Sequence, residues 1–278
     1  MSESPAVSLE AGSPFELRVR LGDAVGEQSV REALASGDMG FLHSYTTGST
    51  VDGPGVRVVA WTTGCMWRCQ YCHNPDTWTL TNGLPVSVAK AAEELGKYRH
   101  GLKVMSGGFT LSGGEPLMQH RFAAKLLSAA RQMGIHTAIE TNGFFGDRLS
   151  DAEVDTIDLV MLGIKTWDPA RHLALTGQDN GPTLDFARRL AARRRPMWIR
   201  FVLVPGLTDD LADLAKTAEF AAGLGTVERV EVLPFHQMGR YKWERLGLTY
   251  ALGAVEPPTA EAAERACEVF RKAGLKAF

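Results

Sequence analysis

The chain has 278 residues, one to two domains at about 150 residues each, and single α/β barrels reach the same length. Apolar residues make up 45% and charged residues 22%, ordinary for a folded domain and wrong for a disordered one. Thirty basic against thirty-two acidic side chains leave a formal charge of −2, so neither nucleic-acid binding nor a membrane anchor is expected. No apolar run approaches the roughly 18 residues of a bilayer span. The opening MSESPAVSLEAGSPFELRVR lacks a basic head followed by an apolar stretch, so no secretory signal is expected and the expected compartment is the cytoplasm.

Residues 1–38 are weakly periodic. LRVRLG reads as a short strand and SVREALASG as a short helix, and the segment is set apart as an N-terminal extension of unassigned role. A core domain is expected over 39–278. VRVVAWTT reads as a buried strand ending at Gly64, and Asn74-Pro75 keeps the segment after it from forming a long helix. Ser87 caps a helix predicted through Arg99, GFTLSGGEP is a strand running into a glycine turn, and QHRFAAKLLSAARQMG is a helix closed by Gly134. HTAIE is the next strand, followed by a short helix near Ser150 to Val154 and the strand DTIDLVMLGI. TLDFARRLAARRR is helical, with Arg193-Arg194-Arg195 read as solvated complements of its C-terminal dipole. MWIRFVLVPG is a strand, TDDLADLAKTAEFAAGLG a helix with a threonine N-cap, RVEVLPF a strand and PTAEAAERACEVFRKAG the last helix. Strand–helix alternation of this kind predicts a parallel sheet wrapped by helices, with functional groups at the C-terminal strand ends.

Three of the four cysteines, Cys65, Cys69 and Cys72, lie within CMWRCQYC at i, i+4 and i+7. A structural zinc site prefers two separated pairs, although His73 would complete a Cys₃His set. Cys267 falls in an amphipathic helix, where a lone cysteine is usually a small buried hydrophobe. Three local thiols without a fourth point to a [4Fe–4S] cluster with one iron open.

CxxxCxxC followed one strand later by SGGEP resembles the radical S-adenosylmethionine (SAM) enzymes. SYTTGSTVDGPGVR, YCHNPDTW, TLSGGEP, ETNG, VMLGIK, MWIRFVLVPG and VLPFHQMGRYKW resemble, in order, the pyruvate formate-lyase activating enzymes, from about Gly40 to the C-terminus. The resemblance implies a partial (βα)6 barrel. It also implies that SAM chelates the open iron and that an electron from the cluster cleaves it to methionine and a 5′-deoxyadenosyl radical. That radical takes a hydrogen atom from a glycine of pyruvate formate-lyase, a glycyl radical enzyme. A flavodoxin or ferredoxin would donate the electron, and the activase would act as a monomer.

By this resemblance Cys65, Cys69 and Cys72 hold the cluster. Tyr71, Cys72, His73, Gly113, Gly114, Glu115, Gly163, Ile164, Lys165 and His236 cradle SAM, and Lys165, Arg200 and His236 are the catalytic candidates. Each has a plainer alternative. SGGEP is also a tight turn, Lys165 a solvated strand end, and the Asp52-Gly53 loop, implied to lie near the protein substrate, a structural turn. Arg200 sits in an apolar strand and needs a counter-charge. In the family a monovalent cation sits beside the SAM carboxylate, here at Glu140, Thr141 and Met161. This chain departs there: Gly163 stands where the family reads aspartate, and Glu140 where it often reads aspartate. Either Glu140 compensates or Lys165 alone neutralises the SAM carboxylate. Rival functions are a radical SAM enzyme acting on another protein or a small molecule, a paralogue that keeps the cluster but has lost turnover, and a non-enzymatic electron carrier or structural metal protein.

Overall fold

The computed structural model describes the backbone of residues 27–278 and the side chains from Glu32 onward; the LRVRLG strand expectation lies outside these residues. Helix α1 (Glu27–Ser36) matches SVREALASG and leads into strand β1 (Met39–Ser49). Two strands were not legible in the sequence. β1 has a half-exposed pattern, β3 covering only its Met39–Leu42 half, and the edge strand β3 (Leu84–Ser87) spans four residues; both pair antiparallel at one end of the sheet.

The remaining strands are parallel: β2 (Arg57–Thr62), β4 (Gly108–Gly113), β5 (His136–Thr141), β6 (Leu159–Gly163), β7 (Met197–Leu203) and β8 (Val227–Pro234). The sheet order is β3-β1-β2-β4-β5-β6-β7-β8, unclosed. It is the expected partial barrel of six parallel strands, with an antiparallel pair added at one edge.

Helices α2 (Val88–Gly96), α3 (Arg99–Val104), α4 (His120–Gln132), α5 (Asp151–Val154), α6 (Pro169–Thr176), α7 (Gly181–Ala192), α8 (Leu211–Gly223), α9 (Arg240–Arg245) and α10 (Ala260–Lys272) complete the chain. The helix predicted from Ser87 to Arg99 is two: Ser87 does cap α2, accepting from the Lys90 N–H, but α2 stops at Gly96. The N-cap of α8 is Asp210, whose carboxylate accepts from Ala212 and Asp213 N–H. The Thr208 hydroxyl instead accepts from Val204 N–H and donates to the Val202 carbonyl, closing the turn after β7. Arg193 is ion-paired to Asp151 and Asp155 rather than simply solvated.

Alternation along the strands separates two faces. Val160 and Leu162 of β6 join Phe122, Leu126, Phe186, Leu214 and Phe270 from the helices in the main apolar core. Each such fully buried side chain stabilises by about 1.5–3 kcal/mol relative to exposure. Met161 faces the other way, in a small cluster with Ala138, Leu159 and Trp198. Cys267 is buried in the main core. No helix among the described residues is long and apolar enough to cross a membrane.

Candidate active site

Register builds the site. β4 pairs with β5 through Leu111 and Ile139, β6 with β7 through Gly163 and Arg200, and β7 with β8 through Arg200 and Glu231. The period of two then sets Ser112, Glu140, Gly163, Arg200 and Glu231 across the concave face, where the first four line a cleft of about 470 Å³. From above, the loops bring Asp52, Cys65, Cys69, Tyr71, Cys72, His73, Gly114, Lys165 and His236 to the same cleft. The loops after β2, β4, β5, β6 and β8 therefore share one mouth, while β7 reaches it through its strand residues Arg200 and Val202 rather than its Val204–Gly206 turn.

The cysteine loop is irregular, and its backbone is satisfied by elements far away in sequence. Arg68 N–H donates to the Thr176 carbonyl (2.7 Å) and Gln70 N–H to that of Leu175 (3.1 Å), docking the loop on the end of α6. Trp67, 1% exposed, plugs the space beneath and meets the His172 ring edge-on at 4.8 Å. On the other side Trp243 Nε1 donates to the Cys72 carbonyl (2.9 Å), and Trp243 packs edge-on against Trp78. Trp67 and α6 were missed in the sequence, and Trp78 and Trp243, legible there only as packing or partner-contact residues, do pack. The signal for α6 was present in DPARHLALTG: an aspartate N-cap, proline at the first helical position and a left-handed glycine at the end.

The three thiols are free. Burial pushes Cys69 up to about 12, and raises Cys65 and Cys72 as well. Bare thiols in this cleft are neutral, and a cationic partner is what would draw off their protons. Among the described residues, no three His, Cys, Asp or Glu side chains converge on one ion-sized point. A single zinc needs that convergence, whereas in a cubane each cysteine holds its own iron. The donor set fits the cluster better than the Cys₃His alternative.

Gly113 has φ +120°, and a Cβ there would stand 2.2 Å from Thr62 N. Backbone alone fits, so the turn after β4 lies directly against the cysteine strand. Glu115 does not line the cleft. It is fully buried beneath, accepting from Thr141 Oγ1 (2.6 Å), Asn142 N–H (2.7 Å) and Leu117 N–H (2.8 Å), and tying the β4 and β5 turns together. Burial raises it to about 7 against those three donors. Ile164 points into the core and Met161 into its own apolar cluster. His73 and His236 stack edge-on at 4.8 Å, and burial with the neighbouring His236 holds His73 below its ordinary value.

Arg200 has the counter-charge its strand demands. Nη1 lies 2.8 Å from Glu140 Oε1 and 3.6 Å from Asp52 Oδ1, and Nε lies 3.2 Å from Glu231 Oε2, out of line for a hydrogen bond. Nη2 donates to the Val51 carbonyl. Burial pushes Glu140 up, but Arg200 and the Ser112 hydroxyl outweigh it and its carboxyl lies below the ordinary value. A second arginine, missed in the sequence, holds the same rim loop from below. Arg57, 0% exposed, donates to the Pro54 carbonyl and to Thr110 Oγ1, which itself donates to the Asp52 carbonyl.

The radical SAM superfamily model matches residues 59–221. The chain is 43% identical over 235 residues to a pyruvate formate-lyase-activating enzyme of Staphylococcus epidermidis, covering 82% of this chain and 93% of that one. It is 40% identical over 240 residues to the pyruvate formate-lyase 1-activating enzyme of Escherichia coli, covering 86% and 98%. Among solved structures, a domain of a pyruvate-formate lyase-activating enzyme from Bacteroides vulgatus superposes with TM-score 0.51 at 26% identity, covering 62% of this chain and 98% of that domain. With the cysteine loop, the glycine turn and the partial barrel in place, the chain belongs to the radical SAM superfamily and, within it, to the pyruvate formate-lyase activating enzymes.

Proposed function

We propose that this chain activates a pyruvate formate-lyase by taking a hydrogen atom from a glycine of that enzyme. The observation that carries the reading is the convergence, on one cleft, of three free thiols, a glycine turn and an unpaired lysine. The cofactors are a [4Fe–4S] cluster and SAM. When bound, they supply the electron transfer and C–S cleavage that generate the hydrogen-abstracting 5′-deoxyadenosyl radical.

Cys65, Cys69 and Cys72 would ligate three irons, leaving the fourth for the amino and carboxylate groups of SAM. Gly113 and Gly114 give that end of SAM backbone to approach without a side chain in the way. Lys165 meets its carboxylate. Tyr71, His73 and His236 line the adenosine side. Asp52 and Gly53 stand at the rim where the target's glycine loop enters. Arg200 acts through others: it joins Glu140, beside the SAM cradle, to Val51 and Asp52 at the rim, so it is a positioning residue. A flavodoxin or ferredoxin supplies the electron, and the activase works as a monomer.

The test is anaerobic reconstitution with iron and sulfide, then EPR of the reduced protein with and without SAM. A reduced-cluster signal that changes on adding SAM, with 5′-deoxyadenosine in the quenched mixture, supports the reading. A signal indifferent to SAM contradicts it and leaves an electron carrier or a lapsed paralogue.

A further inference from the structure

The residues implied to hold a monovalent cation do not fit one. Both Glu140 oxygens are committed, Oε1 to Arg200 Nη1 (2.8 Å) and Oε2 to the Ser112 hydroxyl (2.6 Å). Thr141 Oγ1 donates to Glu115 and accepts from Gly143 N–H. The Met161 side chain is fully buried among apolar neighbours, so this residue offers a cation no charge and only its carbonyl. Hard cations are held by several convergent oxygens, carboxylates foremost where charge must be matched, and position 163, which has no side chain, contributes no carboxylate; the Thr141 carbonyl, 3.7 Å from where a Cβ at 163 would stand, is left without a free carboxylate beside it.

The space at Gly163 is nonetheless in use. A Cβ built there would meet Lys165 Nζ at 2.8 Å and Cε at 3.3 Å. The ammonium thus stands where a longer residue at 163 would begin. The other cation of this face, Arg200, is matched to Glu140, Asp52 and Glu231. Among the described residues no carboxylate lies within ion-pair distance of Lys165 Nζ: Glu140 and Glu115 feel its charge only from farther off, and the Tyr71 ring lies 5.9 Å from it at the centroid. Lysine is rarely buried without a partner. This one is half-buried, lines the cleft and is unpaired, which leaves it open to an anionic group on the ligand.

We infer that this chain binds SAM without an alkali cation, the Lys165 ammonium at Gly163 being the positive charge that meets the SAM carboxylate. Gly163 brings no acid and Glu140 is held by Arg200 and Ser112, so this face offers a cation no free carboxylate, and the SAM carboxylate is left to Lys165. The inference rests on the SAM-binding reading above and deepens it.

The test is anaerobic calorimetry of SAM binding to the cluster-loaded protein at constant ionic strength, with potassium, sodium or choline as the sole monovalent cation. The wild-type Kd is expected to agree within about twofold across all three, since the fixed ammonium does not exchange with solvent ions. Lys165→Met is expected to weaken SAM by about tenfold or more in every salt, with iron and sulfide content unchanged, and Lys165→Arg to recover part of the loss. Gly163→Asp, which sets a carboxylate against the ammonium, is expected to weaken SAM in choline and to regain affinity in potassium. A wild-type Kd about tenfold tighter in potassium or sodium than in choline overturns the inference, that factor being the scale of one lost charge contact. So does a Lys165→Met protein that binds SAM as the wild type does. No SAM binding by the cluster-loaded wild type in any salt contradicts the functional reading itself, and is told apart from the other outcomes by the absence of a binding isotherm, since each of those starts from a wild type that binds.

Discussion

Arg200 and Glu140 show how much of this site depends on single buried charges. Replacing Arg200 by Met leaves Glu140, Asp52 and Glu231 without their shared cation, which costs about 3–5 kcal/mol. The rim loop is expected to loosen with it. Chemical denaturation of the cluster-loaded variant measures the loss. Glu140 also carries a pH signature. Its folded value is depressed below the ordinary 4.5, so its contribution to stability is fully present above that value and is lost as pH falls through the folded one. In Glu140→Gln this share of acid sensitivity disappears, and melting curves taken from neutral pH down to below that folded value are expected to converge with the wild type only at the acid end. The two arginines were unequally legible. Arg200 was singled out because an arginine in an apolar strand needs a counter-charge. Arg57, in VRVVAWT, stands at the start of its strand and so lacks the apolar flank that marks Arg200, yet it is the residue that holds the Asp52–Gly55 turn from beneath.

At the scale of elements, the six parallel strands were readable because each is a short apolar run closed by glycine or proline. β1 was not, since β3 covers only its first half and the rest, exposed, shows no clean alternation. The cysteine loop marks the other limit. Its spacing identifies the chemistry, but its shape is set by α6, Trp67 and Trp243, distant in sequence and joined only by the fold. Trp67→Ala is therefore expected to cost about 3–5 kcal/mol, as large buried aromatics do, and to lower iron retention although Trp67 is no ligand. Iron and sulfide analysis after desalting checks this. Gly113→Ala is expected to be worse tolerated than its size implies: at φ +120° with Thr62 N 2.2 Å from the new methyl, the β4 turn must shift, at a cost above about 1 kcal/mol. Denaturation midpoints compare it with Gly134→Ala, whose Cβ meets nothing within 4 Å.

For the whole molecule, an unclosed sheet leaves the cleft accessible at the strand ends, where the loops carrying cysteines, glycines, Lys165 and His236 meet. The cleft suits a cofactor and the tip of a loop rather than a folded domain, so the target enzyme has to present its glycine by local opening, as low-stability segments do. The most direct test is anaerobic incubation of the reduced, cluster-loaded protein with SAM and pyruvate formate-lyase, followed by EPR for a glycyl radical on the lyase. A glycyl radical on the lyase, matched by 5′-deoxyadenosine and abolished in the Cys69→Ala variant, is the predicted result. 5′-Deoxyadenosine without a glycyl radical would contradict the account and assign this site another substrate.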